Sequence, residues 1–282
     1  MCQYSAHEGY VDDWHLVNLG RFAMGGAGLI ITEATAVQKK GRITHGCPGI
    51  WKDEQIIGHS RIAQFISRNG AIPGIQLGHA GRKASMQRPW YGNGPLNEDD
   101  FERGDMPWNI VAPSACSGGE GGQIPEEMSE EQICELIDDF IAAARRAISA
   151  GYKVIELHGA HGYLIHSFLS PVSNKRTDKY GGDLHGRMKL AIDISSALRR
   201  SISDETPLFF RVSSTDNLEN GWSIEDSVEL AKELKKVGVD VIDCSSGGIS
   251  GSATAARGKR MPGYQVPFAE KIKQNANIMT MA

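Results

Sequence analysis

The chain has 282 residues and a formal charge of −4, from 30 Lys and Arg against 34 Asp and Glu. That length holds a sizeable core, and so even a balance gives no electrostatic ground for a nucleic-acid or anionic-membrane partner. No apolar run reaches the ~20 residues that span a bilayer, the N-terminus MCQYSAHEGY lacks a signal peptide's apolar core, and the five cysteines are not spaced for a zinc site or a disulfide framework. A reducing, cytoplasmic compartment is the expectation.

In chain order, Asp12 and Asp13 open a helical pattern that runs to about Met24 and is broken by Gly25, Gly26 and Gly28. Leu29–Thr35 (LIITEAT) is the near-continuous apolar run of a strand buried on both faces. Residues 53–69 place Ile56, Ile57, Ile62, Phe65 and Ile66 at helical spacing, and Gly70 closes that helix. Ile72–His79 is the next strand. Residues 80–128 are polar, rich in Gly and Pro and without clear periodicity, a loop insertion of the length that is functional or disordered. Ser129 and Gln132 form a capping box for a helix to Ala150. A strand from Val154 follows, then the polar loop SNKRTDKYGG and a helix from about His185 to Ser201. Pro207–Ser214 is a strand, Ser223 with Asp226 starts a helix to Val237, and Val239–Ser245 is a strand leading into SSGGISGSAT. A helix over 267–275 precedes the start of a strand at Ile278.

Strands and helices alternate throughout, which predicts a parallel sheet. The number of units predicts one α/β domain over 1–282, a TIM (β/α)8 barrel, a fold of ~250 residues. No G-x-G-x-x-G leads from a strand into a helix, which weighs against a dinucleotide-binding fold.

The chain is organised around YKVIELHGAHGY, Tyr152–Tyr163. Strand alternation puts Ile155 and Leu157 on one face and Val154, Glu156 and His158 on the other. His158, His161 and Tyr163 leave the strand's C-terminal end together: two donors for a substrate oxygen and one proton source. Bland alternatives are hydrogen-bonded packing residues, or a metal pair, which would need further ligands that do not stand nearby. Two other strands repeat the pattern. Gln76 lies between Ile75 and Leu77, and Arg211 between Phe210 and Val212. A buried arginine without a partner is costly. Three such placements at strand C-termini predict an active site at the barrel mouth, lined by Gln76, His158, His161, Tyr163 and Arg211.

These residues are recognisable. The chain resembles the Old Yellow Enzyme family of FMN-dependent ene-reductases, and looks most like the bacterial subgroup with xenobiotic reductase and the thermophilic-like enzymes. The matching segments are MCQYSA (1–6), DDWH (12–15), GLIITEATAV (28–37), GRIT (41–44), IQLGHAGRKAS (75–85), APSA (112–115), ELHGAHGYLIHSFLSPVSNKRTDKYGG (156–182), FRVS (210–213) and PGYQVPFAE (262–270).

The resemblance implies FMN as cofactor, NADPH or NADH as reductant and a small electron-poor alkene as substrate, with a homo-oligomer allowed. His158 and His161 would hold the carbonyl or nitro oxygen, Tyr163 would donate the proton, and Tyr4 would add a contact to that oxygen. Cys2 would sit at the reactive edge of the flavin. The backbones of Met1 and Ala34 would contact its ring, and Gln76 and Arg211 its pyrimidine end. Lys83 and Arg82 would meet the cofactor phosphates or be solvated. Trp90 and Trp108 would wall the substrate pocket or pack.

Some features depart from the family pattern. The family's first strand precedes MCQYS, and its chain runs on through the rest of strand seven and strand eight, whose loops hold the FMN phosphate. The resemblance therefore implies a truncated barrel, incomplete at both ends, that binds FMN poorly. Gly159 stands where an apolar residue is common. Rival expectations are the barrel portion of a larger flavin and iron–sulfur reductase of the dienoyl-CoA reductase type, a non-catalytic remnant that binds a partner, and a metal-dependent barrel hydrolase.

Overall fold

A computed structural model describes residues 2–119, 121–250 and 261–282. Met1, one of the expected flavin contacts, lies outside them, as do residues 251–254 of the Ser/Gly-rich run after Ser245.

The first helix, α1 (Asp13–Met24), starts where Asp12 accepts from the Trp14 N–H at 3.0 Å. Strand β1 (Leu29–Ala36) leads to α2 (Ile56–Arg68) and β2 (Ile72–Gly78). The insertion that follows carries a short helix, α3 (Glu98–Glu102), and a two-stranded ribbon, β3 (Val111–Ala112) with β4 (Glu126–Glu127). Helix α4 (Glu130–Ala150) opens on the Ser129–Gln132 capping box and ends on left-handed Gly151. Then come β5 (Val154–Gly159), the short buried α5 (Leu164–Leu169), α6 (Leu184–Ser201), β6 (Leu208–Ser213), α7 (Ile224–Lys236), β7 (Val241–Ser245), α8 (Val266–Ala276) and β8 (Met279–Met281).

Six strands form one wholly parallel sheet in the order β1-β2-β5-β6-β7-β8. Neighbours in space are neighbours in sequence, with helices between them, as the alternation predicted. Strands β1 and β8 are the two edges, so the sheet is not closed. The main core joins the outward strand residues Ile75, Leu77, Ile155, Leu157, Leu208 and Phe210 to the inner faces of α4, α6 and α7. No helix among the described residues is long and apolar enough to cross a membrane.

Two polar stretches are packed rather than solvated. In the insertion, Arg82, Lys83, Ser85, Gln87 and Asp100 are buried. In SNKRTDKYGG, Asn174 donates to the carbonyls of Phe168 and Tyr180, and Arg176 donates to those of Pro113 and Met128. Polar side chains that satisfy buried backbone leave no apolar period to read, so the sequence shows only a loop.

Gly159 has a local reason. A Cβ there would meet the Phe210 ring at 2.3 Å and the Arg211 carbonyl at 3.0 Å, so Phe210 fills the space a side chain would take. Gly159→Ala should therefore destabilise the fold by ~1–3 kcal/mol through overpacking, and adding Phe210→Leu should recover most of it. Urea unfolding midpoints would check this; an unchanged midpoint for the single variant would count against it.

Candidate functional site

Register brings the site together. His158 on β5 pairs with Arg211 on β6, which pairs with Asp243 on β7. Gln76 on β2 pairs with Ala34 on β1 and with Glu156 on β5. Paired residues share a face, and Glu156 and His158 are two apart on one strand. Gln76, Glu156, His158, Arg211 and Asp243 thus form one polar surface on the face away from the helices. The β1 register shifts between Ile31 and Ala34, an irregularity of the kind that re-aims side chains beside active sites.

Three rings close on one another above this surface. The His158 ring lies 5.3 Å from that of His161 and 5.0 Å from that of Tyr163, both edge-to-face at 89° and 81°. A backbone hydrogen bond assigns the His158 proton. The Ala160 N–H donates to His158 Nδ1 at 3.3 Å, which leaves the ring proton on Nε2. Gln265 donates to the Ser245 hydroxyl oxygen at 3.2 Å, and that hydroxyl lies 2.6 Å from His161 Nε2. Where Ser245 donates to Nε2, the His161 proton lies on Nδ1; where it accepts, the proton lies on Nε2. Burial holds both imidazoles neutral, His158 well below the usual histidine range and His161 at about 3; the nearby Arg211 adds to both effects. Burial also raises the Tyr163 phenol well above its ordinary value, so it stays protonated.

The charges are paired across the sheet. Gln76 Nε2 donates to Glu156 Oε1 at 2.7 Å. Arg211 Nε lies 3.2 Å from Asp243 Oδ2, and among the described residues that half-buried guanidinium forms no other ion pair. Burial, and then Asp243 beside it, push Glu156 up to about 7 against the pull of Gln76 and Arg211.

A cleft of about 270 Å³, counting the space open to solvent, lies beside these rings, lined by Ala34, Ala36, Arg42, Gly78, His158 and Tyr163 among others. Small residues, Ala34, Ala36, Gly41, Gly78 and Ala80, make up much of its lining. Cys2 is hydrogen-bonded to the Ala34 backbone, and its thiol is pushed up by desolvation and then by Cys47 and Glu33. Tyr4 is left-handed (φ 55°) and stacks edge-on to Trp90, with ring centroids 6.2 Å apart. Trp90 is largely exposed, whereas Trp108 packs against the buried cluster of Ala80, Ala84 and Ile110 and donates to the Lys40 carbonyl at 2.9 Å.

Sequence reasoning missed several residues that hold this site. Lys83 and Arg82 are both buried, not solvated. Lys83 Nζ donates to the carbonyls of His161 (2.8 Å) and Gly248, and Arg82 donates to those of Ser117 (3.0 Å) and Ile249 (2.5 Å). Burial, with Arg82 adjacent, lowers Lys83 to about 7. Ser245 and Gln265 orient His161, and His166 and Asp216 stand behind the turn. Gln265 sat inside the recognised PGYQVPFAE segment, His166 inside ELHGAHGYLIHSFLSPVSNKRTDKYGG, and Lys83 and Arg82 inside IQLGHAGRKAS; nothing in the sequence marked Ser245 or Asp216.

The whole chain, residues 1–282, matches the NADH:flavin oxidoreductase / NADH oxidase family. It is 46% identical to an NADH:flavin oxidoreductase of Gibberella zeae over 285 residues, covering 97% of this chain and 68% of that protein. It is 43% identical to an NADPH dehydrogenase of Bacillus subtilis over 284 residues, covering 100% of this chain and 76% of that protein. Among solved structures it is similar to a 2-naphthoyl-CoA reductase, with a TM-score of 0.82 and 29% identity over 97% of this chain; it spans 41% of that longer protein. The chain therefore belongs to the NADH:flavin oxidoreductase / NADH oxidase family, flavoenzymes that use FMN with NAD(P)H as reductant.

Proposed function

We propose that the chain reduces the C=C bond of small electron-poor alkenes, α,β-unsaturated carbonyl or nitro compounds, at the C-terminal ends of the strands of a TIM-type barrel. The observation that carries this reading is the meeting of two neutral imidazoles and one phenol, of which His158 and Tyr163 line the cavity and His161 packs edge-on to His158.

The residues present fit a bound flavin. Ala34, Ala36 and Gly78, all small, line the cleft where a flat ring would lie. Arg211 and Gln76 would hold its pyrimidine end, where charge builds on reduction, and the Ala34 backbone and Cys2 would contact its ring. When bound, FMN supplies the hydride carrier between NAD(P)H and the alkene.

The chain's own groups do the rest. His158 Nε2–H and His161 Nδ1–H converge on the substrate's carbonyl or nitro oxygen, with Tyr4 adding a contact. Both are neutral donors, so they bind a neutral carbonyl without adding charge and strengthen as negative charge grows on its oxygen. The Tyr163 hydroxyl delivers the proton to the carbon beside that group. Its raised pKa keeps the proton in place until a strongly basic carbon develops. Among the described residues no cluster of three or more His, Cys, Asp or Glu is arranged to hold an ion. The rival reading, the barrel portion of a larger reductase, rests on the lower of the identities, 29% against 43%.

In FMN-loaded protein, Tyr163→Phe should slow the alkene-dependent step roughly 10²–10⁴-fold, the worth of one positioned proton donor, while NADPH still bleaches the flavin at a rate within a few-fold. Stopped-flow measurement of the two half-reactions separates these; an unchanged alkene step with cyclohexenone would sink the proton-donor role. His158→Ala should weaken 4-hydroxybenzaldehyde binding by one to two orders of magnitude, corresponding to a lost hydrogen bond of about 1.5–3 kcal/mol to a charged oxygen. Unchanged affinity in an absorbance titration would count against the oxygen clamp.

A further inference from the structure

The turn that delivers His161 and Tyr163 is conformationally expensive. His161 has φ +60° and Gly162 φ +76°, two left-handed residues in succession. A non-glycine residue in that region costs roughly 1–2 kcal/mol, and it persists only where its surroundings over-determine it. Gly162 cannot be replaced: a Cβ there would meet the Gly248 carbonyl at 2.3 Å and Lys83 Nζ at 3.0 Å.

The surroundings converge on one peptide. The Lys83 ammonium donates to the His161 carbonyl at 2.8 Å. The Gly162 N–H, at the other end of the same peptide, donates to His166 Nδ1 at 2.8 Å. Accepting at Nδ1 puts the His166 proton on Nε2, which lies 2.9 Å from Asp216 Oδ1 in a fully buried pair. The other Asp216 oxygen accepts from the Ser170 hydroxyl at 2.6 Å and the Trp222 N–H at 2.8 Å. Those bonds, the second of them to the backbone, fix the carboxylate, which fixes His166, which fixes the amide. Just before the peptide, the His161 N–H donates to the Ser213 hydroxyl at 2.9 Å.

Packing alone does not account for Lys83. A buried ammonium is costly, and no ion pair with a carboxylate is formed by Lys83 among the described residues. Both of its acceptors are backbone carbonyls at the mouth of the site. Neither Lys83 nor His166 lines the cavity.

We infer that Lys83 and His166 are positioning residues: they clamp the two ends of the His161–Gly162 peptide, and so set where the His161 ring and the Tyr163 hydroxyl stand. The inference rests on the alkene-reductase reading for its kinetic consequence, though not for the clamp itself.

The test uses FMN-loaded protein and cyclohexenone. Lys83→Met and His166→Leu should each lower kcat/KM by roughly ten- to a hundredfold, the scale on which small misplacement acts. His166→Gln, which can still accept at one end and donate at the other, should recover most of the loss. Because both groups act through one peptide, the double variant should lose little more than the worse single. Single variants within twofold of the parent would overturn the inference, as would a double loss equal to the product of the singles. A second measurement needs neither activity nor a variant. Hydrogen exchange of the Gly162 amide, followed by NMR on the parent protein, should be strongly protected, and exchange at the rate of a free amide would overturn the clamp. If Tyr163→Phe leaves alkene reduction intact while Gly162 stays protected, the functional reading fails and the clamp stands.

Discussion

The structure depends on how it pairs polar side chains on the inner face of a parallel sheet. Such a face has little water to satisfy them, so each polar group must find a partner or change its charge. Register supplies the partners. Gln76 meets Glu156, and Arg211 meets Asp243, each across one strand spacing. The two histidines have no such acidic neighbour in the cavity and are driven neutral instead. One surface thus holds a cation beside two uncharged donors. That division suits a site where negative charge develops in two places, at the cofactor's ring and at the substrate's oxygen.

Orientation is then set from behind. His158 is held by the backbone N–H of Ala160, and His161 by Ser245, itself oriented by Gln265. The turn between them is tied to β6 through Ser213 and to the loop after β7 through Lys83. Residues from β6 and β7, from the turns after β2 and β5 and from the N-cap of α8 therefore meet here. Precision of this kind belongs to rigid elements with a second layer of hydrogen bonds.

Much of this was legible in the sequence, for physical reasons. Strands such as LIITEAT and PLFFRVS are continuous apolar runs because both faces are buried, and capping signals at Asp12, Ser129 and Ser223 mark helix starts. Gln76, His158 and Arg211 stood out as polar residues between apolar neighbours, and the sheet register puts them on one face. What stayed hidden has no local signature. Lys83 and Arg82 read as solvated or phosphate-binding because buried cations that bond only to carbonyls cannot be told from surface ones by type. His166 and Asp216 are 50 residues apart in sequence and meet only through the fold. The polar segments 80–128 and 173–182 are packed by side chain to backbone bonds, which leave no hydrophobic period.

The central claim is that two neutral imidazole N–H groups, on His158 Nε2 and His161 Nδ1, aim at one ligand oxygen. A crystal structure of the FMN-loaded protein with bound 4-hydroxybenzaldehyde tests it most directly. The account predicts the phenol oxygen within about 3 Å of both nitrogens, with Ser245 still on His161 Nε2. A phenol oxygen distant from both rings would contradict it.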